Sequence, residues 1–344
     1  MIPHEMKAAY YMGRENIEIR TVPVPQIHDH DVLIQNICSS ICGTDSAVFM
    51  KGPNTGHKID IGSEFGHETV SRVAAIGSAV TDFRIGDRVY PYPLFARNDT
   101  SRAGTLGGFS EYILCPEAKL NHSLYKITDS ITDRTACMIE PFTVGFHAAR
   151  QADPSAKDTA IVYGAGTIGI AAAIALKFFG LKKVMITDLS KYRLDIAEGL
   201  GFETIQSGSQ DFQEKLQAYF GSAASLHGNT ADIDITIDAA GADSVFNEFM
   251  KHAKITARFV AVAVNNSIRN VDMLQMIYAS QSLIGSGGYT PQEVHDVMDV
   301  MSKHKWNIES IITDEFCLND LKKALYQASD TERSLNVIMN MRAE

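Results

Sequence analysis

The sequence predicts an α/β protein in two parts, a small β-rich region followed by a doubly wound parallel sheet. Three observations predict it. Short strand-like runs crowd the chain from Lys7 to about Val89. Strand and helix patterns alternate from Thr159 to Gly285. In the first of those alternations, Gly164, Gly166 and Gly169 stand between strand and helix in GxGxxG spacing.

Composition narrows the class. The 344 residues are 45% hydrophobic and 21% charged, which suits two domains with a sizeable core. A net charge of −10 argues against nucleic acid or anionic membrane as a partner. The N-terminus has no apolar stretch of a secretory signal. The longest apolar run, Ile168 to Leu176, ends at Lys177, too short to span a bilayer. Cys38, Cys42, Cys115, Cys137 and Cys317 form no CxxC pair and no disulfide framework, so a cytoplasmic protein is expected.

In the β-rich region, Asn16 to Val22 alternates as a strand, Pro23 and Pro25 interrupt it, and Asp31 to Ile37 resumes. Cys42-Gly43-Thr44-Asp45 opens a short helix. Thr69 to Ile76 is a further strand, and Val80 to Val89 another, turning at Gly86-Asp87. Closely spaced short strands suit a small barrel or sandwich.

The stretch Thr159 to Asp188 is the most informative. An apolar run, Ala160 to Tyr163, leads into the glycines; a helix follows to Gly180, then a strand from Lys183 to Thr187, with Asp188 at its end. Gly164 permits the tight turn, Gly166 lets a pyrophosphate approach the backbone, and Gly169 lets the helix pack on the strand. The helix is read from Ile170 to Gly180; its N-terminus, with Thr167 and Ile168 just before it, offers N–H groups and a positive dipole end to phosphate. Asp188 stands about 20 residues on, where a carboxylate accepts from a ribose 2′-OH and repels a 2′-phosphate. The reading is NAD.

Further strands follow at Glu203 to Ile205, Asp234 to Asp238, Arg258 to Val264 and Ser282 to Gly285, with helices at 190–200, 209–220, 243–255 and 271–280. Ala240 and Val264, at strand C-termini, are expected beside the dinucleotide. Arg193 either flanks the adenosine or is a plain helix-surface cation. From Thr290 come a helix to about His304, a strand at Ile311 to Thr313, a helix from Leu318 to Ala328 and a strand from Leu335 to Met339.

Three spots carry metal-ligand chemistry: Cys42, His67 with Glu68, and Glu140. Taken singly, Cys42 suits a small buried side chain, His67 a bonded loop residue and Glu140 a helix start. Together, thiolate, imidazole and carboxylate would make a three-ligand zinc site with one position open.

Cys42-Gly-Thr-Asp, Gly66-His67-Glu68, Gly86-Asp87-Arg88-Val89, Glu140-Pro-Phe-Thr-Val-Gly-Phe-His147-Ala and the glycine fingerprint occur in an order that resembles the zinc-dependent medium-chain dehydrogenases. The Glu140 segment resembles most the sorbitol (polyol) dehydrogenase branch. The resemblance covers essentially the whole chain. It implies a GroES-like catalytic domain (1–150 and 290–344) and a Rossmann domain (151–289), a homodimer or homotetramer, and NAD-linked oxidation of a secondary hydroxyl of a polyol. It also implies that Cys42 and His67 ligate zinc, that Glu68 or Glu140 completes the set, and that Thr44 bonds the substrate hydroxyl.

Three departures from the family pattern stand out. Tyr90 to Glu111 holds no cysteine, so one catalytic zinc and no structural zinc is expected. Ala47 stands where a proton-relaying histidine is common. Of an Arg-Tyr pair lining the substrate site, only Tyr289 remains, and Asn336 replaces a lysine of the final strand. Alternatives are a vicinal diol or a threonine-type substrate, or, in another class, a zinc-free NAD-binding protein with regulatory or structural work. A phosphorylated polyol is a further option, with Lys51, His57, Lys58, Arg97 and Arg102 either engaging the phosphate or serving as solvated loop cations.

Overall fold

The computed structural model describes residues 2–53, 55, 58–99 and 104–342. Contacts divide the chain into two compact units, 1–140 with 294–344, and 141–293.

The second unit is built on six parallel strands. Across the sheet they run Glu203–Gln206, Lys183–Asp188, Thr159–Tyr163, Ile235–Asp238, Arg258–Ala261 and Ser282–Gly285. The central pair, Thr159–Tyr163 and Ile235–Asp238, is buried on both faces, as helices on either side of a parallel sheet require. Strand order reverses between these two, and ligands of such sheets bind outside the carboxyl ends at that point. A hairpin of Ser222–Ser225 with Gly228–Ala231 adds a separate small sheet that the alternating pattern did not reveal.

Close backbone approach explains the glycines. Gly164 has φ +103°, and a Cβ on Gly169 would stand 1.8 Å from the Gly164 carbonyl oxygen. Gly145, in the helix Ile139–Gln151, faces the helix Thr167–Phe178 so closely that a Cβ would lie 2.6 Å from the Ala171 Cβ. That contact accounts for the glycine of the Glu140-Pro-Phe-Thr-Val-Gly run.

Glu293, third residue of the helix Pro291–Ser302, gathers a buried polar cluster. Its carboxylate accepts from the Thr290 amide at 2.8 Å and from the Thr290 hydroxyl, a capping-box arrangement with proline at the first helical position. The other oxygen takes His147 Nδ1 at 3.3 Å and Arg150 Nε at 2.9 Å. His147, the histidine of the Glu140 motif, is therefore engaged on Glu293, with Gln151 Nε2 3.2 Å from its Nε2.

The first unit holds a seven-stranded sheet, ordered Ile312–Cys317, Asn336–Asn340, Val32–Ser40, Glu68–Ile76, Arg88–Pro91 and Leu124–Lys126, with Tyr112–Cys115 also on Val32–Ser40. A second sheet joins Asn16–Pro23, Glu5–Gly13 and Ser63–Glu64. Tyr11, Phe49, Phe65 and Phe109 pack with Leu321 and Leu325 into one core cluster. The strand expected over Val80 to Val89 is confined to Arg88–Pro91. Phe83 is buried whereas Ile85, two residues on, is 69% exposed, so the apolar spacing there marks no single buried face. The cysteine-free stretch instead buries Tyr90, Tyr92, Ala96, Leu106 and Phe109. No helix among the described residues is long and apolar enough to cross a membrane.

The Glu293 cluster makes a pH prediction. Burial pushes its carboxyl pKa up, but hydrogen bonds from Thr290 and His147 outweigh burial and hold it below the ordinary value near 4.5. A depressed folded value means stability that is present above the unfolded pKa and lost as pH falls through the folded one. In urea titrations, the wild-type advantage over Glu293→Gln should be constant above about pH 6 and shrink below about pH 4. An advantage unchanged down to the acid limb would remove the role assigned to this carboxylate.

Candidate active site

Cys42 is the N-cap of the helix Gly43–Lys51, directly after the strand Val32–Ser40. Its sulfur accepts from the Thr44 amide at 3.5 Å and from Thr44 Oγ1 at 3.1 Å. Asp45 Oδ2 accepts in return from the Cys42 amide at 3.2 Å, closing a reciprocal capping box. A thiolate in this position meets the positive end of the helix.

His67 and Glu68 enter the strand Glu68–Ile76 through Gly66, whose φ is +85°. The Gly107 and Gly108 amides donate to the Gly66 carbonyl oxygen at 3.2 and 2.9 Å. A Cβ on Gly66 would lie 2.7 Å from the Phe109 ring, which packs edge-on against Phe65 at 5.0 Å. The aromatic core thus fixes the turn that presents both side chains.

The three converge. One ligand atom from each of Cys42, His67 and Glu68 lies within 4.8 Å of the others, the one such group of three among the described residues. His67 and Glu68 are buried and Cys42 partly so. Asp45 Oδ1 stands 3.7 Å from His67 Nδ1, a charged contact longer than a hydrogen bond. Asp45 therefore serves both: one oxygen caps the helix at Cys42, the other faces His67. Sequence reasoning missed this residue, although its capping-box spacing from Cys42 was a usable signal.

The surroundings are acidic. Burial, then Glu68, Asp45 and Glu140, hold the Cys42 thiol well above its usual range. Burial pushes Asp45 up to about 7 and raises Glu68 as well. Burial opposes charge on His67, but Asp45, Glu140 and Glu68 outweigh it and its pKa is raised. Sulfur, nitrogen and oxygen donors crowded by carboxylates suit a divalent cation, and this donor set is that of zinc. The residues fit the metal that the family pattern implies.

Glu140 is buried in the first turn of Ile139–Gln151 and acts on Cys42 and His67, but it stands outside the group of three. Tyr289 is buried in the second unit, next to Thr290. Arg97 is held by Glu64 at 3.0 Å and by the Thr105 and Leu106 carbonyls. Lys51 and Lys58 are exposed; His57 and Arg102 lie outside the described residues.

In the second unit Gly166 caps Thr167–Phe178 without a side-chain bond, so Thr167 and Ile168 present their first-turn backbone as an anion site needs. Asp188 Oδ2 accepts from the Ala165 amide at 2.6 Å and Oδ1 from Ser190 at 2.9 Å. A carboxylate has further lone pairs, and those remain for a ribose hydroxyl. The Arg193 guanidinium lies 3.7 Å from where a Gly166 Cβ would stand, over the glycine turn. At the ends of the next strands, the Ala240 amide donates to Asp238 Oδ1 at 3.2 Å, and Val264 is 61% exposed. Arg269, also unanticipated, joins Asp238 at 3.3 Å to Asp243 at 3.1 Å and donates to the Gly241 carbonyl at 2.8 Å.

Asp45→Asn keeps the shape and an oxygen for the Cys42 cap but removes the charge facing His67. Zn2+ affinity, read by chelator competition, should fall about 10–100-fold, as for other partners of metal-binding histidines. Undiminished affinity would separate Asp45 from the metal site.

The chain matches two family descriptions, zinc-binding dehydrogenase over residues 167–303 and alcohol dehydrogenase GroES-like domain over 28–127. L-threonine 3-dehydrogenase of Yersinia enterocolitica serotype O:8 is 28% identical over 352 residues, covering 97% of this chain and 99% of its own. The crystal structure of 2R,3R-butanediol dehydrogenase from Bacillus subtilis has a TM-score of 0.83 at 23% identity, over 97% and 99% of the two chains. A short chain alcohol dehydrogenase from Escherichia coli CFT073, complexed with NADH, has a TM-score of 0.83 at 24% identity, over 98% and 100%. With these matches over both units and the motifs in their order, the chain belongs to the zinc-dependent medium-chain dehydrogenase family, oxidoreductases that act on CH–OH groups.

Proposed function

We propose that the protein catalyses reversible, NAD-linked oxidation of a secondary hydroxyl to a ketone, with one zinc per subunit held by Cys42, His67 and Glu68. The convergence of those three side chains carries the reading. On this reading the first unit supplies the metal chemistry and the second the cofactor. The absence of cysteine from Tyr90 to Glu111 speaks against a structural zinc.

Zinc bound there would act as a Lewis acid on the substrate oxygen, and NAD would accept the hydride. The chain's own part is orientation. Asp45 places a carboxylate beside His67, the Thr44 hydroxyl beside the Cys42 sulfur is the candidate to bond the substrate hydroxyl, and Glu140 is the candidate to take up the departing proton. Gly164, Gly166 and Gly169 cradle the pyrophosphate while Asp188 takes the ribose. Tyr289 is retained as a substrate-lining side chain.

A polyol is our first substrate class, from the Glu140 motif. A 2-amino-3-hydroxy acid is the second, favoured by likeness to threonine dehydrogenases along nearly the whole chain. A phosphate ester ranks below both, because Arg97 is already engaged by Glu64. NADH formation across polyols, their phosphates, 2,3-diols and L-threonine decides among them; turnover of none would sink the reading.

Three substitutions should separate metal binding from cofactor binding. Cys42→Ala or His67→Ala should abolish metal and turnover yet keep NAD binding. Asp188→Ala should keep the metal and weaken NAD by about 1.5–3 kcal/mol, a lost bond to a charged acceptor. A wild type that prefers NADP contradicts the role of Asp188.

A homo-oligomer is also proposed. Ser282–Gly285 is an edge strand, and Leu274, Ile277, Tyr278 and Leu283 beside it in sequence are exposed. Pairing with a second copy would cover such an edge. Light scattering should give a dimer or tetramer, and Leu283→Lys should shift it toward monomer; a monomeric wild type ends this reading.

A further inference from the structure

We propose that Ser40 and Asn336 form a buried hydrogen-bond chain that fixes the Glu68 carboxylate for metal binding, making both of them positioning residues. The inference rests on the reading of Cys42, His67 and Glu68 as ligands.

Three strands bring these residues together. Ser40 ends the strand Val32–Ser40, and its antiparallel neighbour across the sheet is Glu68. On its other edge the same strand pairs with Asn336–Asn340. Asn336 Nδ2 donates to Ser40 Oγ at 3.0 Å, and Ser40 is the cross-strand neighbour of Glu68, its hydroxyl near enough to favour the charged carboxylate. Ser40 is 0% exposed, Glu68 2% and Asn336 3%, so water does not compete for these bonds.

The direction of the chain follows from counting protons. A hydroxyl has one proton to give and two lone pairs to offer. Once Asn336 occupies a lone pair of Ser40, the hydroxyl proton is directed at the only acceptor of the three that carries charge, the Glu68 carboxylate. Packing alone does not call for an amide here. Val337, Ile338 and Met339 of the same strand are apolar and buried, and Asn336 interrupts that run. A glutamate has several rotatable bonds. Anchoring one oxygen from behind leaves the other aimed at the position shared with Cys42 and His67, as partners of ligating carboxylates do elsewhere.

The test uses the full chain loaded with Zn2+ or Co2+. Zn2+ affinity by chelator competition and the visible Co2+ spectrum are compared for wild type, Ser40→Ala, Asn336→Ala, Glu68→Gln and the Glu68→Gln/Ser40→Ala double variant. Ser40→Ala and Asn336→Ala should each weaken Zn2+ about 10–100-fold and shift the Co2+ bands. In the Glu68→Gln background, Ser40→Ala should add less than about 2-fold, because its effect runs through the carboxylate. If Glu68→Gln weakens the metal while Ser40→Ala and Asn336→Ala leave affinity and spectrum alone, the positioning role is overturned and the ligand reading stands. If Glu68→Gln changes neither, the ligand reading itself falls. Equal weakening by Ser40→Ala with and without Glu68 marks general loosening and also overturns the proposal. Should Asn336→Ala fail to fold, Ser40→Ala, which removes one oxygen, carries the test alone.

Discussion

Three carboxylates, Asp45, Glu68 and Glu140, are buried around one thiol and one imidazole, and the rest of the first unit is arranged to tolerate that crowding. Buried like charges are costly unless paired or neutralised. Each acid here has its own setting: Asp45 takes the Cys42 amide and faces His67, Glu68 stands opposite Ser40 in the sheet, and Glu140 sits where a helix begins. The residual negative charge is what selects a cation. A cation bound there would offset that charge, so metal binding would couple to stability.

Holding such a site needs rigid supports, and the supports are apolar. Phe65 and Phe109 bracket the Gly66 turn, and Phe49 and Val48 anchor the helix that Cys42 caps, in the same core cluster. Tyr11 lends its hydroxyl to the Val48 carbonyl at 3.1 Å, tying that helix to the smaller sheet. Packing to this density transmits displacement, so a shift at Phe109 moves His67. The three candidate ligands thus sit on sheet and capped helix, where geometry is set to better precision than on a free loop.

The cofactor site and the metal site differed in how far the sequence disclosed them, and the reason is locality. Strand, glycines, helix, strand and Asp188 are contiguous, so the fingerprint could be read directly and its physical roles assigned residue by residue. The metal site is assembled from separated segments, and spacing left Glu68 and Glu140 as equals. Only the sheet register, which sets Glu68 opposite Ser40 and beside the Cys42 helix, distinguishes them. Asp45 showed locally only as a cap on Cys42, its approach to His67 coming from the fold, and the Arg269 bridge escaped notice because its partners are distant in the chain. The segment after Ile76 misled for another reason: Phe83 and Ile85, two apart, would share one face of a strand, yet Phe83 enters the core while Ile85 faces solvent.

The described part of the cysteine-free segment is tied by backbone and core. Gly107 and Gly108 hold the Gly66 carbonyl, Ser110 donates to Glu64 at 2.7 Å, and Glu64 in turn holds Arg97. Asn36 adds three buried bonds, to the carbonyls of Gly107, Gly108 and Ser110. These bonds converge on the turn that carries His67. The segment therefore acts as a strap on the candidate metal site, and Arg97, which its place in the family's layout made a candidate for a substrate's phosphate, is better explained as one of its fastenings.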